Sequence, residues 1–164
     1  MNIRLATAGD LEIINAIYNY FVMHSTCTYQ LELSTIEERK AWLESHGARY
    51  PATVVEEDGG GVIGWGSLSA FHSRAAWRFT VEDSVYVHPA HHRKGLGKAL
   101  LGDLMQRARN LGYREVIAII SADQLASGEL HARMGFRDAG VLRGVGFKFD
   151  RWLDVKYMQW SASG

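Results

Sequence analysis

The chain predicts a single mixed α/β domain, residues 1–164, with a central, mostly antiparallel sheet flanked by helices on both faces. Three observations carry that expectation. Amphipathic helices come early, three strand-like segments follow as an antiparallel meander, and the chain then runs strand, helix, strand towards its end. At 164 residues and 47% hydrophobic composition it can bury one real core and is short for two.

Met1 to Leu5 reads as a short strand. Thr7-Ala8-Gly9-Asp10 is an acidic variant of the capping box, and Leu11, Ile14, Ile17, Tyr18 and Phe21 then recur at helical spacing. Ser34-Thr35-Ile36-Glu37 reads as a second capping box, opening a helix through Trp42 and Leu43 that stops near Gly47. Strands are predicted over Ala52 to Glu56, Val62 to Ser69 and Trp77 to Val87, the first two joined as a hairpin by Asp58-Gly59-Gly60-Gly61. Beyond Pro89, Leu100, Leu101, Leu104, Met105, Ala108 and Leu111 mark a helix ending at Gly112, and the apolar run Glu115 to Ile120 is a buried strand. A short helix over Leu125 to Met134 ends at Gly135. Strands over Phe136 to Val141 and Leu153 to Trp160 close the chain, with Gly140, Gly144 and Gly146 punctuating their connection.

Composition excludes several function classes. Lys and Arg number 18 against 18 Asp and Glu, so no overall field recruits nucleic acid or an acidic membrane, and any basic site must be local. The single cysteine, Cys27, allows no internal disulfide; it fits a reducing compartment and is most simply a small buried hydrophobe. Asp10 and Glu12 interrupt the beginning where a signal peptide needs an apolar run, and no stretch approaches the ~20 apolar residues of a membrane span. A cytoplasmic protein is the expectation.

The stretch His91-His92-Arg93-Lys94-Gly95-Leu96-Gly97-Lys98 lies between a strand and a helix and combines cations with two glycines. Backbone N–H groups at a helix N-terminus form a concave donor site, and the helix dipole favours an anion there, so phosphate is the natural ligand. A Walker A loop fails because Gly97-Lys98 is followed by Ala99 and His92 stands where its first glycine belongs. A dinucleotide fingerprint fails because Leu100 replaces the third small residue and the next strand ends in Ser121 rather than an acid.

His92-Arg93-Lys94-Gly95-Leu96-Gly97 resembles the [QR]-x-x-G-x-[GA] pyrophosphate loop of the GNAT superfamily of acetyl-CoA-dependent N-acetyltransferases in all but its first position. Leu130 to Phe136 resembles that family's closing GF segment. Tyr18 to Val22 with Ser25 to Tyr29, Arg74 with Thr80 to Val87, and Val145 to Val155 together resemble the phosphinothricin acetyltransferase family, which includes enzymes acting on methionine sulfone and sulfoximine. The resemblance covers nearly the whole chain. It implies a GNAT-like fold, acetyl-CoA as cosubstrate with no metal, direct transfer to the α-amine of a small amino-acid analogue, and a homodimer.

The resemblance also implies roles. His92, Arg93, Lys94, Gly95, Leu96, Gly97 and Lys98 grip the pyrophosphate, Val85, Tyr86 and Val87 lie on a strand that splays from its neighbour to pair with the pantetheine arm, and Gln124 and Ser127 touch the cofactor. Two of these depart from the family pattern: His92 replaces Gln or Arg, and Gln124 replaces asparagine. Leaving an aliphatic ammonium of pKa ~10.4 protonated costs ~4 kcal/mol at pH 7, so a base is useful. Glu82, in the family's TVE position, is the candidate, whereas Asp83 points to the opposite face by strand alternation and is the weaker one. His131 stands where many acetyltransferases have a tyrosine and is a candidate acid to sulfur or assistant to Glu82. Arg74 is placed to clamp an α-carboxylate, and Tyr29, Phe147 and Lys148 to form the acceptor pocket, with Phe71 and Trp77 as further wall. His88, His91 and His92 invite a metal reading but lack an HExxH-type partner. Acetylation of peptide N-termini or polyamines, and a noncatalytic acyl-CoA sensor, stand as alternatives.

Overall fold

The computed structural model describes residues 1–163. Strand β1 (Asn2–Leu5) is locked to the first helix by Asp10, whose carboxylate accepts from the Thr7 N–H and hydroxyl at 2.8 and 2.9 Å and from both terminal nitrogens of Arg4 at 2.8 Å. The Arg4 guanidinium holds the Asp10 carboxyl down at about 2. That box forms a single turn leading into α1 (Leu11–His24). The second box is shifted one residue from the expected position. Thr35, not Ser34, caps α2 (Ile36–Glu44): its hydroxyl accepts from Glu38 N–H at 3.1 Å, and the Glu38 carboxylate accepts from Thr35 N–H at 2.8 Å. Ser34 N–H is instead taken by Asn19 Oδ1 at 2.9 Å.

Strands β2 (Ala52–Glu56) and β3 (Val62–Ala70) form the expected hairpin. The third strand of the meander, β4, runs from Thr80 to Val87 and does not begin at Trp77. Ala75–Trp77 form a tight helical turn, with Trp77 N–H on Arg74 O at 3.0 Å and its ring against Phe71 and His72, both with centroids at 5.4 Å. Helix α3 (Leu96–Asn110), strand β5 (Glu115–Ser121) and helix α4 (Leu125–Arg133) follow.

The last two strands are longer than the sequence suggests. Strand β6 spans Arg137–Lys148 and β7 spans Arg151–Ser161, joined only by Phe149-Asp150 at φ 53° and 55°. Positive φ at both positions matches the right-handed twist of a hairpin, which is why two residues suffice. Gly140 and Gly144 therefore lie inside β6, at its register shifts, rather than in the connection.

All seven strands join one sheet in the order β1-β2-β3-β4-β5-β7-β6. On one face Ile14, Ile17 and Phe21 of α1 pack on Val54 and Trp65; on the other, Leu100, Leu101 and Leu104 of α3 pack on Val55, Leu68 and Val81. Only β4 and β5 run parallel, and their pairing stops at Glu82 opposite Ile117 although the strands continue to Val87 and Ser121. The sheet is split there, at the carboxyl ends of two parallel strands, where open sheets place their ligands.

Candidate active site

Where β4 and β5 part, a cleft of about 1380 Å³ opens, lined by residues of the β4–α3 loop and by Glu82, Trp65 and Arg39. Past Glu82 the β5-facing edge of β4 has no strand partner among the described residues, so the backbone polar groups of Asp83 and Val85 and the Val87 N–H are available to a ligand. Val85, Tyr86 and Val87 all line the cleft. The Tyr86 ring stacks on Trp65 at 4.7 Å, so its side chain belongs to an aromatic cluster, and in the register its backbone pairs with Trp65 of β3.

The loop after β4 makes a cradle. Arg93 and Gly95 have φ of 63° and 78°, turning successive N–H groups inwards. Gly95 is favoured by that backbone angle, whereas at Gly97 a Cβ would lie 3.2 Å from Leu130 Cδ2 of α4, a tight contact with the end of a flexible side chain. The first N–H of α3 to bond back is that of Ala99, to Gly95 O at 3.0 Å, leaving those of Leu96, Gly97 and Lys98 free. His92, the unexpected residue, turns back on the protein: its Nε2 lies 2.9 Å from Val87 O and its ring stacks on Phe21. The Gln124 amide donates to Thr26 Oγ1 at 2.8 Å, and Ser127 lines the cleft beside it. His88 accepts from Ala90 N–H at 3.2 Å, and among the described residues no three His, Cys, Asp or Glu side chains gather as metal ligands.

Two carboxylates follow one another on β4 and face opposite ways. Glu82 lies opposite Ser69 in the register and lines the cleft, and it accepts no hydrogen bond among the described residues. Burial, then the neighbouring Asp83 charge, pushes its carboxyl up to about 7. Asp83 is buried on the other face, where its Oδ2 lies 3.1 Å from His131 Nε2 and its Oδ1 has no partner among the described residues. His131 Nδ1 lies 2.8 Å from Ser127 O. With an acceptor at each ring nitrogen the geometry favours the imidazolium: burial opposes the charge, but the Asp83 hydrogen bond and charge together raise the His131 pKa above its ordinary value. His131 is therefore paired with Asp83 and not with Glu82.

Residues 14–136 match the acetyltransferase (GNAT) family. The chain belongs to that family. It is 39% identical to the L-methionine sulfoximine/L-methionine sulfone acetyltransferase of Salmonella typhimurium, over 97% of this chain and 93% of the relative. Among solved structures it superposes with TM-score 0.96 on an acetyltransferase of Salmonella typhimurium with acetyl-CoA, 40% identical and covering 99% of this chain and 94% of that one. A phosphinothricin acetyltransferase of Sinorhizobium meliloti in complex with acetyl-CoA gives TM-score 0.95 at 39% identity, covering 98% and 87%. An acetyltransferase must hold a long polar thioester cosubstrate, and the unpaired edge of β4 and the free N–H groups opening α3 are donors and acceptors of the right kind.

The acceptor side of this acetyltransferase departs most from expectation. Arg74 is exposed beside the turn before β4 and does not line the cleft. Lys148 is buried, with Nζ donating to Ser25 O and Thr28 O at 2.8 Å each, so it tethers the segment that carries Tyr29. Phe147 is half exposed beside a second cavity of about 380 Å³, which Tyr29 shares with the main cleft. Burial pushes the Tyr29 phenol up to about 12, so it remains a neutral donor. The sequence reading sets Asp83 aside as the weaker base and misses its pairing with His131, and it misses Arg39 altogether. Asp83 carries a signal, because a carboxylate on the strand face of Val81 and Val85 demands a partner. Arg39 carries none, since within Glu37-Glu38-Arg39-Lys40 it looks like a solvated helical charge.

Proposed function

We propose that this acetyltransferase moves the acetyl group of acetyl-CoA directly to the α-amine of a small amino-acid analogue of the methionine sulfone, methionine sulfoximine or phosphinothricin type. The observation that carries this reading is the end of β4–β5 pairing at Glu82, which puts an unpartnered carboxylate of raised pKa where the sheet opens. In this reading the N–H groups of Arg93 to Lys98 hold the pyrophosphate, and the backbone of Val85 to Val87 aligns the pantetheine arm. In its ionised form Glu82 takes a proton from the acceptor ammonium, directly or through a water, its raised pKa suiting it to that exchange near neutral pH. The freed nitrogen attacks the thioester carbon and the C–S bond breaks; the departing thiolate takes a proton from the His131 imidazolium, which Asp83 holds in place, and the new amide nitrogen sheds its second proton to solvent, from which His131 is recharged. Cys27 has no part in the transfer.

We further infer a cytoplasmic homodimer. The free cysteine suits a reducing compartment, no helix among the described residues is long and apolar enough to cross a membrane, and β6 presents an unpaired edge with Val141, Leu142 and Val145 exposed. Thiol release from acetyl-CoA, followed with free amino acids, their sulfone and sulfoximine analogues, peptides and polyamines, tests the substrate class. Turnover concentrated on the oxidised amino acids is expected; activity confined to peptides or polyamines overturns the assignment.

A further inference from the structure

Arg39 is a buried cation without a counter-charge. The residue is 5% exposed, yet its only hydrogen bond among the described residues is from Nε to Asn15 Oδ1 at 3.3 Å. Its guanidinium carbon lies 4.3, 5.0 and 5.6 Å from the rings of Tyr18, Trp42 and Trp65. The carboxylate nearest in sequence, Glu38, is committed to the Thr35 cap. Removing an unpaired guanidinium from water is costly, and the rings offset part of that cost while fixing the plane of the group. They leave the two terminal nitrogens unbonded in a residue that lines the main cleft. The adjacent Trp65 indole N–H is also buried without an acceptor. In this corner the terminal nitrogens of Arg39, with no acceptor among the described residues, are open to oxygens from outside.

That corner lies on the Glu82 side of the sheet. The pairs Ser69 with Glu82, Ser67 with Ser84 and Trp65 with Tyr86 share one face, so a floor of serines leads from Glu82 to the aromatic box. We propose that Arg39 is a specificity-determining residue for the acceptor, its free fork receiving a pair of negatively polarised oxygens on that molecule. A planar fork with both terminal nitrogens open matches two oxygens on one atom, supplied either by the oxidised side-chain group or by the α-carboxylate. This assignment rests on the proposed amino-acid acceptor, and two separate readouts keep the two apart.

The full-length protein, Arg39→Met and Arg39→Lys are compared in thiol-release kinetics with methionine sulfone, methionine and methionine sulfone carboxamide. They are also compared in tryptophan fluorescence titrations with methionine sulfone alone. Arg39→Met is expected to raise the acceptor KM roughly 10- to 100-fold, with kcat and the acetyl-CoA KM changed by no more than about twofold, and Arg39→Lys to recover part of the loss. If only the preference for the sulfone over methionine disappears, the side-chain oxygens occupy the fork. If both acids weaken equally and the carboxamide is unaffected, the α-carboxylate does. Unchanged KM values in Arg39→Met that still binds acetyl-CoA overturn the proposal; should that variant not fold, unchanged values in Arg39→Lys do the same. Wild-type protein that turns over none of these acceptors removes the functional reading. A saturable titration lost in Arg39→Met still upholds the site in that case, and a flat one overturns it.

Discussion

Glu82 and Asp83 are neighbouring carboxylates on one strand, and the sheet gives them opposite chemistry. Glu82 faces the cleft without a hydrogen-bond donor, so burial holds its proton on up to about 7. Asp83 faces the packed side and has a partner in the His131 imidazole at 3.1 Å, whose pKa it raises. A one-residue step along a strand thus separates a group suited to exchanging protons from a group suited to holding another in place. Neither behaviour belongs to the residue type. Each follows from what the adjoining face supplies.

The largest expected effect tests the proton-exchanging half of that contrast. Glu82→Gln should lower kcat by roughly 10²- to 10⁴-fold, the usual range for a positioned base, with acetyl-CoA binding unchanged by equilibrium titration. Undiminished turnover would remove Glu82 from the chemistry. Asp83→Asn tests the other half: losing one member of a buried pair should destabilise the fold by about 3–5 kcal/mol in urea denaturation near neutral pH. Because the His131 pKa is raised in the folded protein, the pair's contribution is complete below 6.5 and is lost as pH rises through the raised value. The difference between wild type and variant should therefore shrink in alkali; a loss that is small and constant with pH would mean a neutral contact.

The smallest effect concerns the coupling between the two. The acid limb of kcat/KM should lie near 7, with activity rising as Glu82 ionises, and Asp83→Asn should move it downwards by a fraction of a unit, because the Asp83 charge is the second cause of the rise. The same shift sets a stability slope of opposite use. A carboxyl whose folded pKa is raised costs stability as pH climbs from 4.5 through about 7, so Glu82→Gln should be the more stable protein at pH 8.

The loop and the sheet were legible because local chemistry determines them. Gly95 and Gly97 identify the cradle before α3, and the structure adds that one answers a backbone angle and the other a helix contact. The Thr7 to Asp10 box and the apolar periods of α1 and α3 place those helices correctly. The second box slips by one residue because Asn19, distant in sequence, takes Ser34. The glycines of β6 mislead because a bulged strand and a loop share the same composition, and only pairing with β7 separates them.

Sequence alone determined the family, the mixed sheet, the glycine loop before α3 and the opposed directions of Glu82 and Asp83. All of these follow from short-range spacing, strand alternation and motif identity, which operate within a few residues. Tertiary structure decided the rest. It paired His131 with Asp83 across 48 positions, bound Lys148 to a segment about 120 residues earlier, left Arg74 outside the cleft and enclosed Arg39 in aromatic rings. Those outcomes depend on which distant groups a buried charge meets on folding, and burial sets the energy of that meeting.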